Sequence, residues 1–520
     1  MMLLKKLIWN YNNFLILALI FIFSFFINYH YGFIGVMPMD SFVLYNGGYR
    51  ILNGYVPFND YWLVTGPLLD YLNSLFFFLL GTNWQAFIIH SSIFNSIISL
   101  VTYIVFRELG LEKKYSLLYS ILFSILFYPV VGNPFVDHHS TFFVILAFYF
   151  FILGLNKANF FYYSFIPFFL VLAFLSKQTP AVYGILGIII LIITYLFFDK
   201  KKNIKTIKFL IVGFLVSIIF LLFFFYFTKI QFVKFYDQYL LYAKTIGDYR
   251  FTNYKFDFIG TIHEYKFILI LLFFLVVITI KSWKKSLNNF FSNLAIIILS
   301  SLLIFHQYYT LNQNFIFFLI PLITGYIHVH YRKYYDKNYI LALAISLCLF
   351  STLKYHLRFN EHRKFNELEK VDLSKAIDAE ILSQDLKGLQ WITYDYKDNP
   401  SEEIENLLQI IEILKNDSTK KMIITDYQFI SPILKIYDYS PNQWHHPSVS
   451  FPDKYNKYFK KYKNFFITNL KKNNIKRIYE ITENTYLVSE MILNTNCFFK
   501  KNLNQMLTVL DIKKDCEDLK

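Results

Sequence analysis

With 520 residues, 56% of them hydrophobic, and 61 Phe and 42 Tyr, the chain carries more apolar surface than a soluble core accounts for. A mean hydropathy of +0.39 and long apolar runs through the first two thirds read as a polytopic membrane protein. The formal net charge is +15, but the basic residues cluster in short loops between apolar runs, so membrane topology explains them better than nucleic-acid binding.

The chain opens with Lys5 and Lys6 ahead of an apolar run. This resembles a signal peptide, but no small-x-small cleavage site follows, so it reads as a retained first helix. On the rule that a span needs roughly 20 apolar residues, spans are predicted at 12–31, 84–106, 115–132, 139–155, 160–176, 180–198, 208–228, 266–281, 290–306, 313–330 and 338–353. That is about eleven transmembrane helices. Between the first two lies the polar stretch from Pro38 to Leu72, rich in Asp, Asn, Gly, Tyr and Trp. The short apolar segment 67–80 fits an interfacial or re-entrant helix.

One set of loops holds Lys5 and Lys6; Arg107, Lys113 and Lys114; Lys157; Lys200, Lys201, Lys202, Lys205 and Lys208; Lys281, Lys284 and Lys285; and Arg332, Lys333 and Lys337. These loops alternate with the rest and are assigned to the cytoplasm. Outer loop 1 (32–83), the turns at Asp137 and Lys177, the loop 229–265, the turn 307–312 and the chain after 353 then face outward. The division is a transmembrane domain over 1–353 and an outer domain over 354–520.

In the second domain, 356–388 is charged and helical in pattern. Gln390–Tyr396, Met422–Asp426 and Arg477–Ile481 read as strands. Ser401–Lys415 reads as a helix capped by Ser401, with Glu402 and Glu403 at its positive end. Strands alternating with helices predict a small α/β domain. No Gly-rich phosphate loop and no internal repeat stand out. Cys348, Cys497 and Cys516 show no metal spacing, and Cys497 can pair with Cys516 if this domain lies outside the cytoplasm.

Two acids mark the predicted outer face. Asp40 follows the first span; it is a candidate general base for an acceptor hydroxyl or, alternatively, the cap of a helix whose one face holds Phe42, Tyr45, Tyr49 and Leu52. Asp137, in the turn GNPFVDHHST, is a candidate second acid that holds a cation or orients the acceptor. His138 and His139 beside it are candidate metal ligands, although no H-x-x-H spacing supports them. Lys177 and Gln178 interrupt two spans, offering a point charge and a hydrogen bond to a phosphate oxygen; the alternative is a snorkelling loop lysine. Arg250 is a weaker phosphate candidate. His306, Gln307 and Tyr308 end the ninth span and either line the same cavity or simply mark the interface. Asp60 reads as part of a Pro-Asn-Asp turn, and Asp70 sits inside an apolar helix. Trp444 can stack on a sugar, with a place in the core as the alternative.

An Asp soon after span one, then Gly48-x-x-x-x-x-Gly54-Tyr55-x-Pro57-Phe58-x-Asp60, then Gly66-Pro67 and an apolar helix ending in Gly81, resembles the GT-C glycosyltransferases. Within them it is most similar to bacterial relatives of protein mannosyltransferases, lipid A aminoarabinose transferases and lipopolysaccharide-core transferases. The Lys177-Gln178-Thr179 turn is similar to theirs as well, and the resemblance covers about residues 10–330. It implies an inverting membrane glycosyltransferase that takes a sugar from a polyprenyl-phosphate donor at the outer side of the inner membrane. The acceptor would be an envelope glycan, lipid or protein. Asp40 matches the family's first-loop catalytic acid and Asp137 the second-loop acid. Asp60, Lys177, Gln178, Arg250 and His306 are the substrate-binding candidates, and Asp137 with His138 the metal candidates for a divalent cation, Mg or Mn. The paired acids usual in the first loop are absent, since Met39 and Ser41 flank Asp40. The competing readings are an envelope polysaccharide polymerase or ligase, a lipid-linked-sugar transporter and a membrane scaffold. The first is expected to rely on Arg-rich outer loops and the second on related halves.

Overall fold

The computed structural model describes residues 11–157, 159–198, 203–253, 257–310, 316–335, 338–481 and 487–519. Lys5, Lys6, Lys200, Lys201, Lys202 and Lys337, used above for topology, lie outside the described residues. The chain divides into two compact units. The first comprises Met1–Phe33, Ile88–Leu222 and Asn253–Phe365; the second comprises Ile34–Phe87, Phe223–Thr252 and Asn366–Lys520. Most of outer loop 1 and part of the loop 229–265 belong to the same unit as the C-terminal segment.

The first unit is a helical bundle. Among the described residues, eight helical segments are long and apolar enough to span a bilayer, at Asn13–Tyr31, Trp84–Glu108, Val136–Lys157, Gln178–Phe198, Ile204–Thr228, Phe258–Trp283, Leu287–Thr310 and Tyr339–Asn366, the last running past its α-helix Tyr339–Tyr355 into a π-helical turn. Three other predicted spans correspond to shorter helices: Lys113–Leu126, Phe165–Ser176 and Leu319–Tyr334. The membrane character is plainest on the helix Asn203–Thr228, where Ile211, Phe214, Leu215, Leu222 and Phe223 are exposed. Exposed side chains of this kind need a lipid solvent. The helix Val136–Lys157, by contrast, is buried along nearly all its length.

Polar side chains join these helices. Asn28 donates from Nδ2 to Ser91 Oγ, Ser92 Oγ and the Gly132 carbonyl, each at 3.0 Å. Asn95 Nδ2 reaches the carbonyls of Ser24 at 2.8 Å and Ser124 at 3.1 Å. Without water in the hydrocarbon, such groups are retained where a partner on another helix satisfies them. Gly132 has φ +86°, and a Cβ there would lie 2.7 Å from Gly32 Cα, so only glycine lets this turn close. The buried Arg363 donates to the carbonyls of Pro129 and Val131, both at 2.7 Å, and so braces the turn that leads into Asp137.

The second unit contains the sheet. β1 (Ile377–Asp378) pairs antiparallel with β2 (Gln390–Trp391). The main sheet has β3 (Lys421–Thr425), β4 (Arg477–Ile481), β5 (Phe498–Asn502) and β6 (Leu507–Ile512) in the order β3-β4-β6-β5. β3 and β4 are parallel, with Lys421 opposite Arg477 and Thr425 opposite Ile481; the other pairs are antiparallel. The parallel pair requires a crossover, which includes the helix Phe459–Asn473. The predicted strand Gln390–Tyr396 is two residues long, and β5 and β6 were not foreseen. The region 356–388 is no helix: it is a π-helical turn at His356–Glu361 followed by short 3-10 turns, with Arg363, Glu367 and Lys370 at positive φ.

The helix Ser401–Lys415 exists as Pro400–Asn416, but its N-cap is Asn399, not Ser401. Pro400 takes the first helical position, where its missing N–H costs nothing. Glu403 is buried and accepts from Trp391 Nε1 at 2.9 Å, Thr393 Oγ1 at 2.8 Å and Tyr427 OH at 2.8 Å, which pins this helix to its neighbours. Cys497 and Cys516, whose pairing the sequence leaves open, form a disulfide, and Cys348 is a buried free thiol.

Candidate functional site

In the first unit three helix ends meet. Asp137 lies in the first turn of Val136–Lys157. Lys177 is the single extended residue (φ −159°) between Phe165–Ser176 and Gln178–Phe198. His306 lies near the end of Leu287–Thr310. Lys177 Nζ is 2.6 Å from Asp137 Oδ2, and His306 Nε2 is 3.1 Å from Asp137 Oδ1. The Lys177 carbonyl also accepts from Ser140 Oγ at 3.2 Å, which fixes the break between the helices. Gln178 begins the helix that follows Lys177 and is half-buried, and Gln307 is fully buried beside His306.

Asp137 was expected in a turn at the water interface; it is instead completely buried. A buried carboxylate persists when it is paired and hydrogen-bonded, and Lys177 and His306 supply one partner to each oxygen. Lys177 retains 23% side-chain exposure, so one end of this cluster remains accessible.

The histidines after Asp137 turn elsewhere. His138 Nε2 bonds the Phe127 carbonyl at 3.1 Å. His139 Nε2 lies 3.0 Å from His90 Nε2, while its Nδ1 meets Tyr128 OH. The donor set around Asp137 does not fit a divalent cation as it stands, because both carboxylate oxygens and His138 Nε2 are engaged. Among the described residues, the one grouping with ligand-like proximity is Cys497, Cys516 and Asp518, and there the two sulfurs are bonded to each other.

In the second unit, Asp40 lies in the short helix Pro38–Ser41 and is half-buried. It is not the N-cap of either neighbouring helix: those positions are Met37 and Phe42. The anticipated apolar face of 43–52 also differs. Phe42 and Tyr45 are buried, but Leu52 is 38% exposed and the helix is buried on nearly every side through Gly48. Its hydrophobic stripe is therefore broader than the sequence spacing implied.

Helix Val43–Leu52 packs on helix Leu68–Leu80 through two glycines. A Cβ on Gly48 would lie 2.7 Å from Asn73 Cβ, and one on Gly47 would lie 2.1 Å from Asp70 Oδ1. Asp70 is buried and accepts from Tyr61 OH and Gln443 Nε2, both at 2.6 Å. Burial pushes its carboxyl up to about 7, against the lowering effects of those two donors and the Arg50 charge. Arg50 is also buried, 5.0 Å from the centre of the Tyr61 ring, and pairs with Asp438 at 3.0 Å. Sequence reasoning missed Arg50 and Asp438; a lone Arg in an apolar helix was the available signal.

Asp60 occupies the predicted turn. Its Oδ2 accepts from Val56 N at 2.9 Å, and its Oδ1 lies 3.4 Å from Lys472. Arg250 is half-buried in the helix Ala243–Asn253 of this same unit. Asp40, Asp60 and Arg250 thus belong to the second unit, and Asp137, Lys177, Gln178 and His306 to the first.

With eight helical segments long and apolar enough to span a bilayer among the described residues, the chain is a multi-pass membrane protein. The family model described as dolichyl-phosphate-mannose-protein mannosyltransferase matches residues 64–226. Among solved structures, ArnT from Cupriavidus metallidurans, bound to undecaprenyl phosphate, is similar over 96% of this chain and 98% of its own, with a TM-score of 0.55 at 10% identity. The archaeal oligosaccharyltransferase AglB from Archaeoglobus fulgidus, in complex with an inhibitory peptide and a dolichol-phosphate, matches over 92% of this chain and 70% of its own, with a TM-score of 0.42 at 13% identity. No curated protein matches the chain. The resemblance to GT-C glycosyltransferases drawn from the first outer loop is therefore supported by an independent family match and by the fold.

Proposed function

We propose that this chain transfers a sugar from a polyprenyl-phosphate donor to an acceptor of the cell envelope, with inversion at the anomeric carbon. The observation that carries the reading is the end-to-end likeness in fold to a protein whose structure holds undecaprenyl phosphate. The family match over 64–226 supports the same class of chemistry.

In this reading Asp40 is the general base. It takes the proton of the acceptor hydroxyl, whose oxygen attacks the anomeric carbon from the face opposite the phosphate. Lys177, held by Asp137 and still 23% exposed, supplies positive charge to the donor phosphate as it leaves. His306 orients Asp137, while Gln178 and Arg250 bind the donor's polar groups. Asp60 acts on the acceptor side. No step is routed through a metal. The orientation is an inner membrane with the N-terminus in the cytoplasm and the sheet-bearing unit outside. Alternation supports it: Asp137 begins, and Lys157 ends, the same span.

The test is purified protein offered a panel of labelled polyprenyl-phosphate sugars with native envelope material. Transfer of label to the envelope fraction, undiminished by chelator, is the expected result. A panel of common hexose and pentose donors left wholly unconsumed overturns the reading.

A further inference from the structure

The sheet-bearing unit carries two adjoining clefts of about 190 and 410 Å³ that share Tyr437 and Tyr439 in their walls. Tyr55, Tyr437 and Tyr439 form a row. The first two rings are 5.1 Å apart and tilted by 33°, and the second pair are 6.0 Å apart and stacked at 28°. Tyr437 is 48% exposed, and its hydroxyl donates to the Asn53 carbonyl at 2.9 Å, which fixes the ring while leaving part of it open. In the first cleft, Asn53, Asn469 and the Asp60–Lys472 pair edge the row. In the second, Asp417 and Thr419 lie on its other side.

Aromatic rings edged by amides, hydroxyls and carboxylates match a pyranose. The apolar C–H face of the sugar lies on the ring, and its hydroxyls bond the groups at the rim. Two of the cations lining the clefts are paired, while Lys415 and Lys420 also edge the second cleft. Lys472 faces Asp60, and Lys421 Nζ is held by the Leu414 carbonyl at 2.9 Å and lies 3.8 Å from the Asp417 carboxylate. Two successive clefts flanking shared rings fit a chain of sugars better than one residue.

We propose that this groove binds an oligosaccharide, with the Tyr437 and Tyr439 rings as its stacking platform. This rests on the transferase reading only in taking that oligosaccharide as the acceptor; the groove itself stands on its own geometry.

The test uses the full chain in detergent and saturation-transfer NMR. The probe is the lipid-free oligosaccharide released by mild hydrolysis from the envelope of the native host. Wild type should transfer saturation to the sugar-ring protons. Tyr437→Ala and Tyr439→Ala, each checked for an unchanged melting temperature, should weaken binding roughly tenfold or more. Tyr437→Phe, which keeps the ring, should bind as wild type does. So should Tyr455→Ala, which alters a fully exposed tyrosine outside the clefts. No binding by wild type, or equal binding by both alanine variants, overturns the groove. Donor consumption by wild type is read in the same preparation. Consumption without glycan binding sinks the groove and spares the transferase. Ring-dependent glycan binding without any donor consumption supports the groove and sinks the transferase.

Discussion

Lys177→Met is the perturbation whose cost the structure fixes most sharply. It removes the ammonium 2.6 Å from Asp137 and leaves a fully buried carboxylate with His306 alone. Stripping one partner from a buried ion pair costs about 3–5 kcal/mol. Asp137→Asn is gentler, because the ammonium left behind is 23% exposed and can turn toward water. Its cost should be about 1–3 kcal/mol, that of a lost charge-assisted hydrogen bond. The double variant Asp137→Asn/Lys177→Met leaves no unpaired buried charge and should be more stable than Lys177→Met alone. The coupling should reach about 2 kcal/mol, well above the value of about 0.5 kcal/mol expected of independent sites. Equilibrium unfolding of the four proteins in mixed micelles measures the cycle. Additive losses would refute the claim that Lys177 is the charge partner that keeps Asp137 buried.

Asp70 gives a pH dependence. Its carboxyl is raised from 3.8 to about 7, so the folded state holds its proton where the unfolded chain has released it. Stability from this group is fully present below about pH 4 and is lost as pH rises through about 7, a change on the order of 4 kcal/mol. With Glu480, another buried acid whose carboxyl is raised, replaced by Gln in both proteins, the curve of the Asp70-containing protein should lose stability more steeply between those limits than that of Asp70→Asn; parallel curves would refute the assignment. Gly47→Ala drives a Cβ to within 2.1 Å of Asp70 Oδ1 and 2.7 Å of Gln443 Nε2 and should cost about 1–3 kcal/mol in denaturant melts. Replacing both Cys497 and Cys516 by Ser opens a link across 19 residues and should lower stability by about 3 kcal/mol, as read by the same melts in oxidising buffer.

The spans were legible because bilayer thickness imposes one length and one composition on them. The three predicted spans that emerged as shorter helices lie in runs interrupted by Pro129 and the Gly132 turn, by the 3-10 turn Phe160–Ser164, or beside residues outside the described set. The positive-loop rule placed the turns at Asp137, Lys177 and His306 on one face, and the structure brings those side chains into contact. Their pairing was not legible, because a charge partner forty residues away leaves no periodic trace. The same holds for Arg50 with Asp438 and for Arg363 with the 129–131 carbonyls. β5 is not legible because its Phe-Phe-Lys-Lys-Asn sequence is largely exposed and lacks the alternating apolar pattern of a half-buried strand. The helical pattern of 356–388 misled because residues at positive φ break it into single turns.

The most direct measurement of the central claim is sugar transfer by wild type and Asp40→Asn, side by side, from a labelled polyprenyl-phosphate sugar to envelope acceptor. The account predicts transfer by wild type, inversion of the anomeric configuration in the product, and a loss of at least about a hundredfold in the folded mutant, in line with removal of a general base. Equal rates for the two proteins would contradict the role given to Asp40. Retention of configuration would contradict the single-displacement chemistry itself.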